Sequence, residues 1–531
     1  MKRSIFQAVV LITIITVLSR ALGFVFRVYI SRVIGPEGVG IYQIAMSVFW
    51  VLATIIASGI PLTVCKQTAN HKIINNQLAI NKTTTAALVV CLVVSGILIG
   101  ISLVFQNFIK GFFADERVFP IFLILLPSLV GTSLLSAFRG ALWGEKRYFA
   151  FSITEFIEDV LRVALGFLMV VGVTSALDGA LKAGLSFTIA TTIAAFISGG
   201  FFFYYRGRLS NPKGYITPII QNSWAITGIR VSSNLINAGI ALIIPLRLMH
   251  GGLTASEAIS QFGILMGMAI PLMYLPLTLI GSLATVIIPE MGKKDAEPEE
   301  LKKSANDAIA FSVLVSLPFM FSFLALGTQI GTLLFNSPQA GDMMRAAAWI
   351  VLPVSLSQIS NSMLNSQNLE ERSFANFIAG SVFLFLCVWF LPPLLGVHSL
   401  ILGLGGGAAI TAALNFVMLK TRIDFSLGFI KQIVVVTLLG IPPLLVSVFS
   451  YNIMSYKFHT IIAIGLSGSV LMSTYALLLI CFGIVQIPDK VLEKLKLKKV
   501  EAIDENNLAE RQKTNTRNTI KNQVYLTRML I

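Results

Sequence analysis

The chain of 531 residues is 55% hydrophobic and only 12% charged, with a mean hydropathy of +0.82, whereas soluble domains carry about 25% charged residues. This excludes a soluble globular protein. The apolar residues come in runs of about 20 rather than in short alternating segments, which excludes a transmembrane barrel as well. The net charge of +15, from 40 Lys and Arg against 25 Asp and Glu, falls mainly between the apolar runs and in the C-terminal tail, so it reports membrane topology and gives no reason to expect nucleic acid as a partner.

The expected fold is an all-α integral membrane protein of about 14 transmembrane helices, over 5–33, 40–64, 84–107, 117–141, 148–173, 180–205, 217–247, 258–288, 305–335, 343–366, 373–396, 398–419, 429–451 and 459–485. Lys2 and Arg3 precede the first run and no small-residue cleavage site follows it, so an uncleaved first span is expected. Alternate loops hold most of the basic residues, among them Lys66, Lys72, Lys146, Arg206 and Arg208. By the positive-inside rule both termini are then cytoplasmic. From Pro488 the tail "DKVLEKLKLKK" reads as a solvated basic segment or as a helix on the anionic inner leaflet.

A repeat emerges by offset. Arg32 and "PLT" at 61–63 recur as Arg247 and "PLT" at 276–278, and Pro127, Ser136 and Glu145 align without a gap on Pro353, Ser362 and Glu371. The expected organisation is an N-lobe of six helices over 1–205, a C-lobe of six over 206–421, two further helices over 422–487 and a cytoplasmic tail over 488–531. An even-numbered repeat keeps its orientation, so a pseudo-two-fold axis along the membrane normal would place a central cavity between the lobes.

Polar residues inside the spans are the candidate site. Arg20 and Arg27, seven residues apart, share one face of the first span with Gly23 between them. Hydrocarbon makes a lipid-facing guanidinium at mid-span costly, so Arg20 should face protein or water. Two planar forks on one stripe suit a phosphate or pyrophosphate; the alternative is an ion pair for Arg20 and an interfacial position for Arg27. The fifth span holds Glu155, Glu158, Asp159 and Arg162, with Glu158 and Arg162 spaced for an intrahelical pair and Glu155 and Asp159 for like-charge repulsion. These are ion-coupling candidates or a structural ion-pair cluster. Arg230, Asn234 and Asn237 line up in the seventh span and Gln358 and Asn361 in the tenth, either as interhelical bonds or as the wall of a wet cavity. Proline and glycine within spans, such as Pro127, Pro271 and "GLGGG" at 403–407, permit bending.

The four cysteines and four histidines are scattered, and no Walker or GxSxG signature occurs. Neither a metal, a cofactor nor an enzymatic activity is expected.

The segments "SRALGF", "RVIGPEGVGIYQ", "GIPLTVCKQTA", "IEDVLRVALG" and "SLATVIIPEMG" resemble the stage V sporulation protein B family. That family is part of the multidrug, oligosaccharidyl-lipid and polysaccharide exporter superfamily, which includes the lipid II flippases, and the likeness extends over about 1–485. It implies a flippase that moves an undecaprenyl-pyrophosphate-linked oligosaccharide, for spore cortex peptidoglycan, between leaflets by alternating access. Membrane lipids and cell-wall synthesis enzymes would be its other partners. In the lipid II flippases the first span reads approximately "SRxLGFxRD", and its arginines are thought to contact the pyrophosphate. Arg20 matches that pattern, while Arg27 comes one residue later and is followed by Val28. On this reading Arg20, Arg27 and Arg230 meet the pyrophosphate, Asn234, Asn237, Gln358 and Asn361 solvate the sugar path, and an apolar groove beside the last two spans takes the prenyl tail. A cation-coupled multidrug exporter, centred on the fifth-span carboxylates, and a membrane glycosyltransferase or polymer ligase are the rival readings.

Overall fold

A computed structural model describes residues 2–291, 298–423 and 429–484; the basic tail, with Lys293 and Lys294, lies outside them. Every regular element among the described residues is helical. Hydrocarbon explains this, because a backbone without water must satisfy its own N–H and C=O groups. Twelve described helical stretches are long and apolar enough to cross a membrane, as a multi-pass protein requires.

Helix α1 (Lys2–Ala57) covers two of the expected spans and breaks at Gly35, where φ is 69° and ψ 178°. Only glycine holds that φ without strain. Pro36 then opens the second arm, where a missing N–H costs little. The first half of the chain continues as α2 (Gly59–Ile73), α3 (Gln77–Val104), α4 (Gln106–Lys110), α5 (Val118–Leu125), α6 (Ser128–Gly144), α7 (Tyr148–Val170) and α8 (Ala176–Tyr204). Four charged residues keep α7 out of the twelve apolar stretches. It packs on α1 and α8.

The second half comprises α9 (Ile216–His250), α10 (Ala255–Phe262), a π-helical turn (Gly263–Ala269), α11 (Ile270–Met273), α12 (Leu275–Met291), α13 (Pro298–Phe335), α14 (Pro338–Ala347), α15 (Val351–Ser366), α16 (Glu370–Phe390), α17 (Pro392–Leu395) and α18 (His398–Ile423). The last segment, α19 (Phe429–Leu438), α20 (Ile441–Met454) and α21 (Thr460–Cys481), packs against α13. Several prolines within the spans start helices: Pro61, Pro271, Pro276 and Pro353 occupy first turns, where no intrahelical donor is needed. Pro318 sits mid-helix in α13.

The halves meet where α1 crosses α9, α10 and the π turn. On the Gly35 face the crossing is backbone on backbone. A Cβ at Gly40 would overlap the Ile259 carbonyl, and one at Gly263 would overlap that of Pro36, so small residues allow the approach. The repeated arginines share a role as well. Arg32 Nε donates to Leu334 O and Arg247 Nε to Trp389 O, each at 2.7 Å, which satisfies last-turn carbonyls of α13 and α16. Arg32 also donates to Leu333 O. It thereby ties the first half to the second.

Candidate functional site

Both arms of α1, together with α7, α8, the π turn, α12 and α15, enclose a cavity of about 1120 Å³. On α1 a helical stripe faces it: Arg20, Gly23 and Arg27 from the first arm, and Tyr42, Gln43 and Trp50 from the second. Arg27 lies eight residues from the Gly35 break, about 12 Å of helix, and Arg20 fifteen, about 22 Å. The cavity reaches from Ile30 and Val39, near that break, to Ile12 and Ser282 toward the other face.

Among the described residues three guanidinium groups and one carboxylate line it: Arg20, Arg27 and Arg162 against Asp159. Arg27 Nη1 donates to Gly267 O at 3.3 Å. The expected helical pair forms, with Arg162 Nη2 at 3.1 Å from Glu158 Oε1, and the same guanidinium reaches Asp159 Oδ1 at 3.2 Å through Nη1. Thr191 Oγ1 donates to Glu158 at 3.1 Å. The Glu155 carboxylate pairs instead with Arg139 at 2.7 Å. Arg162 also lies over the Phe187 ring, 4.9 Å from its centroid.

The other expected residues separate. Gln358 lines the cavity and donates to Leu277 O at 3.3 Å. Asn234 bridges the halves through Nδ2 to Thr54 Oγ1 at 2.5 Å. Asn361 sits in an amide network, its Oδ1 accepting from Asn415 Nδ2 at 2.7 Å and Ser373 Oγ at 3.0 Å. Arg230 and Asn237 are exposed and do not line the cavity. Sequence reasoning overlooked Tyr42, Gln43 and Trp50, although their spacing of one, seven and eight residues marks a single helical face in "YQIAMSVFW".

The Gly35 face is shut by a polar junction as well as by the glycine crossing. Ser256 Oγ and Arg117 Nη2 both donate to Glu37 Oε1, at 2.6 and 2.7 Å, and Asp115 braces Arg117 at 2.7 Å. The Ser256 hydrogen bond, with Arg117 behind it, holds the Glu37 carboxyl below the usual carboxylate range.

A helical membrane protein with a large cationic cavity between its halves, closed at one face, has the architecture of the membrane transporters and flippases. The sequence model of the polysaccharide biosynthesis protein family matches residues 5–295, and the chain belongs to that family. It is similar to stage V sporulation protein B of Bacillus subtilis (strain 168), 23% identical over 72% of this chain and 76% of the relative. It is also similar to the probable lipid II flippase MurJ of Rickettsia prowazekii (strain Madrid E), 24% identical over 63% of this chain and 66% of that protein. Among solved structures, lipid II flippase MurJ in an inward closed conformation superposes with a TM-score of 0.64 at 15% identity, covering 88% of this chain and 98% of that one. An inward-facing multidrug resistance MATE family transporter of the MOP superfamily gives 0.62 at 14%, covering 76% and 94%. The all-α membrane architecture expected from the sequence is the one observed, and its fold is similar to those of these two solved structures.

Proposed function

We propose that the protein is a flippase carrying an undecaprenyl-pyrophosphate-linked oligosaccharide, a peptidoglycan precursor for spore cortex, from the inner to the outer leaflet by alternating access. The observation that carries this reading is the convergence of Arg20, Arg27 and Arg162 on one cavity, with Asp159 the only carboxylate lining it among the described residues. A cavity rich in guanidinium suits the two phosphates of such a lipid. Similarity to a sporulation protein and to a probable lipid II flippase supports the substrate class.

On this reading residues 1–205 and 206–421 act as lobes, and the positive-inside pattern puts both termini in the cytoplasm. The Gly35 face is then external and the structure inward-facing. A groove of about 390 Å³, lined by Ile309 and Val313 of α13 and by Val435 and Val436 of α19, takes part of the prenyl tail. Cell-wall synthesis enzymes supply the substrate.

A cation-coupled exporter is the second reading, and Asp159 on the cavity wall favours it. The test is translocation of a fluorescent undecaprenyl-pyrophosphate sugar in proteoliposomes by the wild type, Arg20→Ala and Arg20→Ala/Arg27→Ala. Loss of transport in the folded variants supports the flippase. Full transport by the double variant would overturn the role of these arginines. Transport of organic cations and not of the lipid would establish the exporter.

A further inference from the structure

Phe187 carries Arg162 4.9 Å from its centroid and packs edge-to-face against Trp50, the centroids 6.1 Å apart. Trp50 also meets Phe49 edge-to-face at 5.7 Å. The three rings differ sharply in burial. Phe49 is 0% exposed and Phe187 3%, whereas Trp50 is 44% exposed and lines the cavity. Two buried rings therefore hold a third in place while it presents indole surface to the ligand space. Among the described residues no protein group takes the Trp50 indole N–H.

An exposed aromatic surface in a cavity that also carries guanidinium groups is costly to leave wet and gains from an amphipathic ligand. A pyranose is such a ligand: one face presents C–H groups that stack on an indole, and its rim presents hydroxyls for an N–H. The Gln43 amide, seven residues from Trp50 on the same stripe, lines the same cavity and can take further hydroxyls. Through Phe187 the aromatic surface is continuous with the Arg162 guanidinium, so an anionic group and an adjoining sugar ring can be met together.

We infer that Trp50 is the stacking platform for the sugar that adjoins the phosphate in the transported molecule, and that it sets the preference for a glycosylated over a bare lipid pyrophosphate. This rests on the flippase reading above and names the contact that recognises the sugar. Phe187 acts as a positioning residue beneath it.

The test compares two ligands that differ only in the sugar, farnesyl pyrophosphate and farnesyl-pyrophosphoryl-N-acetylglucosamine, by calorimetric binding to the detergent-solubilised full chain. The wild type should bind the glycosylated ligand more tightly. Trp50→Ala should weaken that ligand by about tenfold and leave farnesyl pyrophosphate unchanged, which also shows that the cavity is intact. Trp50→Phe, which keeps an aromatic surface but loses the N–H, should retain part of the preference. Equal weakening of both ligands would overturn the inference and make Trp50 a support for the cavity or a contact of the prenyl chain. No change in either would overturn it as well. Failure of the wild type to bind either ligand would instead remove the flippase reading, and the sugar contact with it.

Discussion

Ser256 Oγ donates to Glu37 Oε1 over 2.6 Å although 219 residues separate them in the chain. The bond joins the start of α10 to the turn between the arms of α1, and Arg117 reinforces it from the loop before α5. Together with Arg32 on the end of α13 it closes the Gly35 face over the cavity. Opening that face requires these bonds to break.

Glu37→Ala removes the shared acceptor and should favour the open form. The readout is a single cysteine replacing Gln43, in a background without Cys65, Cys91, Cys387 and Cys481, labelled from the Gly35 side by a membrane-impermeant thiol reagent. Glu37→Ala should label faster than its parent. The closure also has a pH signature. A carboxyl held below its ordinary value of 4.5 contributes fully above that value and loses its contribution as pH falls through the lower, closed-state value. Divided by the labelling of Glu37→Ala at the same pH, which cancels the change in thiolate fraction, labelling of the parent should therefore stay constant through the neutral range and rise only in acid; a rise near neutral pH would assign the closure to another group.

Arg32 and Arg247 make the same bond at 2.7 Å but in different settings. Arg32 reaches across the halves, while Arg247 and Trp389 both belong to the second. Replacing either with alanine removes a helix-end interaction of about 0.3–1 kcal/mol, so each should lower the melting temperature by about 1–2 °C. Only Arg32→Ala should also raise cysteine labelling from the Gly35 side. Equal labelling of the two variants would refute the division of roles.

Asp159 competes with any anionic ligand for Arg162, which it meets at 3.2 Å. Asp159→Asn should strengthen farnesyl pyrophosphate binding about threefold to tenfold by freeing one side of the guanidinium. Arg162→Ala should abolish that gain in the double variant. Weaker binding by Asp159→Asn would show that the aspartate orients the guanidinium for the ligand.

Asn415 is fully buried and holds three partners: it donates to Ser360 Oγ at 3.0 Å and Asn361 Oδ1 at 2.7 Å, and accepts from Asn376 Nδ2 at 2.9 Å. Asn415→Leu strands these groups at about 1–3 kcal/mol for each one left unsatisfied. A clear fall in melting temperature should follow, with a smaller one for Asn361→Ala. If Asn361→Ala altered affinity for the glycosylated ligand without altering stability, Asn361 would belong to the sugar path and not to this network.

Much of this molecule is legible along the chain. Apolar runs of spanning length specify helices because no other local structure satisfies a backbone in hydrocarbon. Helical periodicity places Arg20 and Arg27 on one stripe, and the pairing of Glu158 with Arg162 follows from their spacing alone. Periodicity says which residues share a face but not what covers that face. Asn361 and Gln358, three residues apart on α15, diverge because α16 and α18 present Ser373 and Asn415 to one while α12 borders the other. Arg230 and Asn234 diverge likewise, since only Asn234 meets Thr54 of α1. Arg162 reads as half of an ion pair in its own helix and becomes a cavity cation only because α7 packs against α1. Those assignments depend on contacts between residues up to about 200 positions apart, whose partners are chosen by helix packing and not by any local pattern.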